Sequence, residues 1–507
     1  MRLPIQCERT VLYQFCSQER TSDKRAIDLA DGVQTDKVLA QVLDDGIRRL
    51  RKRCIASALQ IMTDSAWRSL ERNLLWRLST ALDPTLRVVH KGWRLAMTGG
   101  MSDEAGRRTS GFSCFFLADA FKHFPDAAEL ADNIVSDWVN AQSETLRRLV
   151  QDTKRIQTLT CKGAATDPVL FVELDRSDPH ERSRTVTIFT FRSGFRVVYK
   201  PRSSAGERIW FGVLDWLNRS EFGVHFQIPP ILQGDHYFWM TYVCPKRCLD
   251  TEALKRFYFR WGAQTAVAQF LEFEDLHRDN WIAAGEDPVL VDAEMIQQPN
   301  PESPLFSKRW AALPALLRTG LVTIRKRDGA GSYAETAPLD DKSAIGMCDF
   351  LPRIGGTPVL PSRFVSSIVE GYRATLKFIT STKRRLDFFQ KILQIKKQEK
   401  HRILYRATAE YYILLRNSYS PRYTAQYGSR RQYLFRACSK RKVPPWALEW
   451  EIEELFRGSI PRFTGLPSST RRTGSFRRID SSQLLYARVV TRKLTVRTRC
   501  PRASQSV

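Results

Sequence analysis

The sequence predicts an α+β fold, and three observations carry that expectation. Apolar residues recur at helical spacing from Trp67 to about Ile156, with Leu70, Leu74, Leu75 and Leu78 on one face and Ile134, Trp138 and Ala141 on another. β-branched and aromatic runs follow at 185–191 and 195–200, joined by the hairpin signature Arg192-Ser193-Gly194. Helical patterning then dominates again, at 254–270, 366–380 and 445–456. At 507 residues with 43% hydrophobic content, the chain can bury a sizeable core and should hold more than one domain.

Residues 1–55 are charged and weakly patterned, which predicts a loosely packed N-terminal segment before the helices. The second strand ends in Val197-Val198-Tyr199-Lys200. A strand-end lysine is ordinarily a solvated one. Lys200 gains a role from what lies downstream, because an ammonium on a strand can hold nucleotide phosphates as a point charge. The helix expected at 254–270 would pack beneath the next motif.

That motif is Asp275-Leu276-His277-Arg278-Asp279-Asn280, followed by Asp292-Ala293-Glu294. Phosphoryl-transfer enzymes of the kinase type place a metal-binding Asn five residues after a catalytic Asp, and a second metal-binding Asp soon afterwards. Asp275 and Asn280 have that spacing, whereas Asp279 stands directly beside Asn280, so Asp275 is the expected catalytic residue. Residues 281–284 and 288–291 read as two short strands turning at Gly285-Glu286-Asp287, a hairpin that would return Asp292 to the loop holding Asn280. The expected architecture is therefore a kinase-like (lipid-kinase/protein-kinase-like) catalytic core with a helical N-terminal region and helical additions.

Beyond residue 298 comes a polar, Pro-containing connection, and 329–341 reads as a loop. Residues 384–417 read as one basic amphipathic helix carrying Arg402, Arg406 and Thr408. The final stretch, 466–507, carries ten Lys/Arg against a single acid, Asp480. It reads as a disordered basic tail, a binding arm, or the frame-shifted end of a truncated gene, the last being the favoured reading.

Several ordered motifs resemble the dehydratase domain of class II lanthipeptide synthetases. They are Val198-Tyr199-Lys200-Pro201-Arg202, Leu214-Asp215-Trp216-Leu217-Asn218, Asp275 through Asn280, and Val289 through Glu294. Ser177-Asp178-Pro179-His180 with Arg184-Thr185-Val186, Leu317 to Leu321, and Glu451 to Leu455 running into Gly458 to Thr464 extend the resemblance from about residue 60 to about 466. The resemblance implies a catalyst that phosphorylates Ser and Thr of a ribosomal precursor peptide with ATP and Mg2+, then eliminates phosphate to leave dehydroalanine or dehydrobutyrine. By position it implies that Lys200 holds the nucleotide phosphates and that Asp275, with His277, orients or deprotonates the substrate hydroxyl. Asn280 and Asp292 would hold magnesium, with Glu294 beside them as a further metal-site residue. Arg402 and Thr408 match the family's elimination segment, with Arg406 between them.

The chain departs from the family where Ser177 and Ser183 replace expected glycines and Met295 replaces a small hydroxyl residue. Full-length members continue into a zinc-dependent cyclase; here the last histidine is His401 and only Cys500 follows Cys438, so no zinc site is expected. Four regions follow: a helical one over 1–156, the nucleotide-binding and catalytic core over 157–305, a helical remainder with the elimination segment over 306–465, and the basic tail. A separate cyclase is a candidate second partner beside the precursor peptide.

No apolar run approaches the roughly 20 residues of a membrane span, and the N-terminus has no apolar signal region. The ten cysteines show no compact spacing, so a reduced, cytoplasmic protein is expected. A net charge of +26 suits a phosphate-handling pocket or an acidic leader peptide. Without zinc-finger spacing or an RNA-binding sheet motif, no specific nucleic-acid partner is expected. A phosphotransferase with another substrate, and a non-catalytic remnant that binds precursor peptide, are the alternative readings.

Overall fold

The computed structural model of the chain describes residues 35–98, 109–159, 167–295, 315–321, 323–325, 332–333, 338–339, 349–398, 401–465 and 495–496. The loop expected at 329–341 and the tail at 466–507 therefore lie largely outside the described residues.

The helices of the N-terminal region form as their periodicity predicts. α1 (Thr35–Arg53), α2 (Asp64–Thr98), α3 (Thr109–His123) and α4 (Pro125–Gln157) pack on one another. α4 starts with Pro125 at a position whose missing N–H costs nothing and ends on Lys154 and Arg155, which suit the negative end of the helix dipole. Leu70, Leu74 and Leu78 are buried along α2, as are Ile134, Trp138 and Ala141 along α4. The expectation of a loosely packed start is corrected for 35–53. Val38, Leu39, Ile47 and Leu50 are buried at helical spacing, and the many charges between them had hidden that stripe.

Five antiparallel strands follow: β1 (Val169–Glu173), β2 (Thr187–Phe191), β3 (Arg196–Lys200), β4 (Ile231–Gln233) and β5 (Phe238–Thr241), in the order β1-β2-β3-β5-β4. The β2–β3 hairpin turns at Gly194, whose φ of +83° is one that glycine adopts freely. Side chains alternate between two cores, as the strand period of two requires. Phe189, Phe191, Val197, Tyr199 and Trp239 join the core of the N-terminal helices. Ile188, Val198, Phe238 and Met240 join the second core, with α5 (Ala205–Asn218) and α6 (Thr251–Phe270).

Helix α6 is capped by Asp250, whose carboxylate accepts from Ala253 N at 2.7 Å. It is buried nearly all round and crosses α7 (Val365–Thr380) at Gly262 and Gly371. A Cβ at Gly262 would stand 1.9 Å from Ile368 O, and one at Gly371 2.0 Å from Phe259 O, so these two backbones touch only because both residues are glycine. Above α6, β6 (Trp281–Ala284) and β7 (Asp287–Leu290) form the expected hairpin, pairing Trp281 with Leu290 and Ala284 with Asp287.

The single helix expected over 384–417 is corrected. α8 (Lys383–Gln398) ends, β8 (His401–Ile403) follows, and α9 (Thr408–Ser418) begins afterwards. β8 pairs with β9 (Phe463–Gly465), Arg402 opposite Thr464. That long-range pairing, together with burial of Ile403 and Tyr405, overrides the local helical pattern. α10 (Ser429–Cys438) and α11 (Pro445–Phe456) complete this part and pack against α9. The described portion is thus α+β, with small antiparallel sheets between helical layers.

Candidate active site

The site is built where β3, the start of α5, the 275–280 loop and the residues after β7 converge. Lys200 closes β3, is 4% exposed, and stands opposite Phe238 of β5. Its Nζ lies 3.4 Å from Glu207 Oε1 and 3.9 Å from Asp292 Oδ1, and donates to the Val291 carbonyl. An ammonium can be buried this deeply only beside such carboxylates.

Glu207 lies in the first turn of α5, fully buried, where the helix dipole favours negative charge. Burial alone would raise its pKa, but Arg202 and Lys200 outweigh that and hold it below the usual carboxylate range. Arg202 donates to Glu207 from Nη1 at 2.9 Å and from Nη2, and also to Asp292. Gly206 seats this helix start against the Asp292–Glu294 segment, since a Cβ there would stand 1.6 Å from Ala293 O.

The loop after α6 is held in an uncommon conformation. Asp275 has a φ of +61°, a left-handed angle costly for a non-glycine residue. Leu276 N donates to Thr319 O at 2.8 Å, and Asn280 Nδ2 donates to Asp275 O at 2.8 Å. Val291 N donates to Asn280 O at 2.8 Å, which ties the loop to the end of the hairpin and brings Asp292 to it. His277 Nδ1 accepts from Asp279 N at 3.3 Å. Burial raises the Asp275 pKa against the opposing pull of His277 and Arg402.

Glu294 faces cations. Arg402 Nη1 donates to its Oε1, Arg462 Nη2 to its Oε2 at 3.0 Å, and Arg202 Nε is 3.4 Å away. Burial pushes against ionisation, yet Arg402, Arg462 and Arg202 hold its pKa well below the usual range. Arg402 Nη2 also donates to Thr408 Oγ1 at 3.3 Å, at the first residue of α9. Arg406 points elsewhere. It is bonded to Glu451 at 3.0 Å and to the Cys438 carbonyl at 2.6 Å inside the helical layer.

The β1–β2 loop forms the remaining wall. Glu181, Arg182 and Ser183 have consecutive positive φ of 44°, 61° and 69°. Ser183 thus adopts the backbone angle that the expected glycine would have taken without strain. Arg182 N donates to Glu454 Oε2 at 3.1 Å and Ser183 N to Ser459 Oγ at 2.9 Å. His180 Nδ1 bonds Ile460 O at 2.8 Å. Burial, reinforced by Arg402 and Arg462, pushes the His180 pKa down to about 3, so it is neutral at ordinary pH. Burial pushes Asp178 up to about 6, against the attraction of Arg402.

One cavity of about 230 Å3 is lined by all eight residues singled out in the sequence: Lys200, Asp275, His277, Asn280, Asp292, Glu294, Arg402 and Thr408. Asp178, His180, Arg202 and Arg462 line it too, although in the sequence they stood within motifs without an assigned role. Glu207 was the nearest acid to Lys200 in sequence, and only the turn from β3 into α5 shows that it is the partner.

A profile of the family described as "Domain of unknown function (DUF4135)" matches residues 124–331 and 335–465. The chain belongs to this family. The DUF4135 match takes in every residue of the cavity wall. Lacticin 481/lactococcin biosynthesis protein LcnDR2 of Lactococcus lactis subsp. lactis is 23% identical over 386 residues, 66% of this chain. The matched segment spans 39% of that relative's length.

Proposed function

We propose that this chain is a lanthipeptide dehydratase with a kinase-like catalytic core. It would use ATP and magnesium to phosphorylate Ser and Thr of a ribosomal precursor peptide and then eliminate the phosphate. The observation that carries this reading is the one cavity lined by Lys200, which is backed by the buried Glu207, by an Asp/Asn/Asp set and by an arginine–threonine pair. The similarity to a lacticin 481/lactococcin biosynthesis protein supports it.

The oxygen donors fit magnesium. Among the described residues, no three His, Cys, Asp or Glu side chains form a metal cage. Magnesium does not need one, since it is commonly bound by one or two carboxylates with waters and substrate phosphates. Asn280 spends its amide nitrogen on Asp275 O, which leaves the amide oxygen for ligation, and Asp292 is 30% exposed on the cavity wall. Glu294 sits behind them among arginines. When bound, magnesium would neutralise charge on the transferring phosphoryl group.

Lys200, steadied by Glu207, holds the nucleotide phosphates. Asp275, with His277 two residues on, accepts or orients the proton of the attacking hydroxyl. In the second step a base takes the α-proton of the phosphorylated residue. The C–H electron pair becomes the Cα=Cβ bond, and the Cβ–O bond breaks with its electrons leaving on phosphate. Arg402, oriented by Thr408, stabilises the departing anion. Asp178, with its pKa near 6, is a base of suitable strength under the influence of the same arginine.

Mass spectrometry of a candidate precursor peptide, incubated with this protein, ATP and magnesium, tests the reading. Loss of one water per modified residue is the expected result, and Arg402→Met should leave phosphopeptide behind. Phosphate gain without any elimination by the unaltered protein would reduce it to a kinase. No change in a peptide that binds the folded protein would overturn it in favour of a binding remnant.

A further inference from the structure

Glu294 and Arg462 have no part in the two steps above, and their arrangement points to one. Arg402 and Arg462 reach the Glu294 carboxylate from opposite oxygens, Arg402 Nη1 on Oε1 and Arg462 Nη2 on Oε2. All three side chains are close to nine-tenths buried and line the same cavity as Asp275 and Thr408. Arg462 Nε is buried with no hydrogen-bond partner among the described residues. An unsatisfied guanidinium N–H in a buried wall is a donor awaiting an acceptor. Phosphate has more acceptor oxygens than a carboxylate and suits a pair of guanidinium forks better.

We propose that Arg402 and Arg462 form a two-armed phosphate cradle in which Glu294 is a built-in placeholder, displaced when the phosphorylated residue arrives. This rests on the dehydratase reading and extends it to how the second step is readied. Glu294 keeps the arms apart and poised while the first step runs. The phosphoryl group then takes its place between them, and the C–O bond breaks with its electron pair passing to a phosphate that both arginines hold. Arg462 is a substrate-binding residue, and Glu294 is a positioning residue that acts through the two arginines. The fixed spacing of the arms follows from the fold: Arg402 lies on β8 and Arg462 immediately precedes β9, its pairing partner.

The test is calorimetric titration of inorganic phosphate into the full chain with ADP and magnesium present. Glu294→Gln should tighten phosphate binding about tenfold by removing a competing anion, whereas Arg462→Lys should weaken it by a similar factor. A glutamate that merely braces the fold would give no tighter binding when neutralised. Unchanged or weaker binding by a folded Glu294→Gln protein would overturn the placeholder. If that variant does not fold, Arg462→Lys decides: undiminished phosphate binding, or undiminished elimination from phosphopeptide, overturns the cradle. The two readings fail separately. Dehydration by the unaltered protein that is indifferent to Arg462→Lys removes the cradle alone. Phosphate binding that responds to both variants, with a precursor that never gains phosphate from ATP, removes the dehydratase and leaves an anion site.

Discussion

On the proposed reading, Lys200 is the residue on which the first step depends most. Lys200→Met should lower phosphorylation about 100- to 1,000-fold, measured as the initial rate of phosphate incorporation. It should also cost stability, roughly 3 kcal/mol in urea unfolding, because Glu207 would be left buried without one of its cations. Glu207 itself was only half legible. An acid seven residues from Lys200 is visible in the sequence, yet the sharp turn through Pro201 that brings them together is a property of the folded chain. Asp178 and His180 were harder still, since what distinguishes them is burial among arginines from distant segments.

Elements rather than residues explain where the sequence reading failed. The basic stretch around 384–417 satisfies a helical pattern throughout, but β8 interrupts it because its partner strand lies about sixty residues further on. Local periodicity cannot report a partner at that distance. The break also separates two arginines that look equivalent in sequence. Arg402 faces the cavity, whereas Arg406 is enclosed with Glu451. Arg406→Met should therefore destabilise the protein by about 3–5 kcal/mol in chemical unfolding, and any loss of activity should track loss of folded protein. The contact between α5 and the Ala293 backbone makes a companion prediction. Gly206→Ala should cost roughly 3 kcal/mol and impair nucleotide binding together, as the Asp292–Glu294 segment is forced outward. The hairpins, by contrast, were readable, because Arg192-Ser193-Gly194 and Gly285-Glu286 announce their own turns.

On the scale of the whole molecule, the sheet divides two cores, and the site opens on its second-core face at the end of the middle strand, β3. Alternation along β2 and β3 is legible in sequence; which layer covers which face is not, since that depends on helices before and after. The layers meet at Glu454, whose carboxylate receives Arg182 N while burial pushes its pKa up to about 7. A carboxyl with a raised folded-state pKa binds its proton more tightly in the native state than in the unfolded chain. Its contribution is therefore present below about pH 4.5 and lost as pH rises through about 7. Glu454→Gln, which keeps an acceptor for Arg182 N, should gain stability relative to the unaltered protein across that interval. Thermal melts of the two proteins at matched pH would show the difference growing from pH 4.5 to 7 and constant above.

The bonds from Arg182, Ser183 and His180 to Glu454, Ser459 and Ile460 also bear on modularity. The wall that would embrace the nucleotide is bolted to the same segment that supplies Arg462 and the partner strand of β8. A gene fragment encoding residues only as far as the Asp-x-Glu motif would carry the whole kinase-type residue set and still lack the brace that shapes its own loop. Under the proposed function, phosphorylation and elimination would in this sense be indivisible. They could not be parcelled into two polypeptides at the obvious boundary between their sequence motifs, and a phosphorylated intermediate would have no exchange of proteins to make between its two steps.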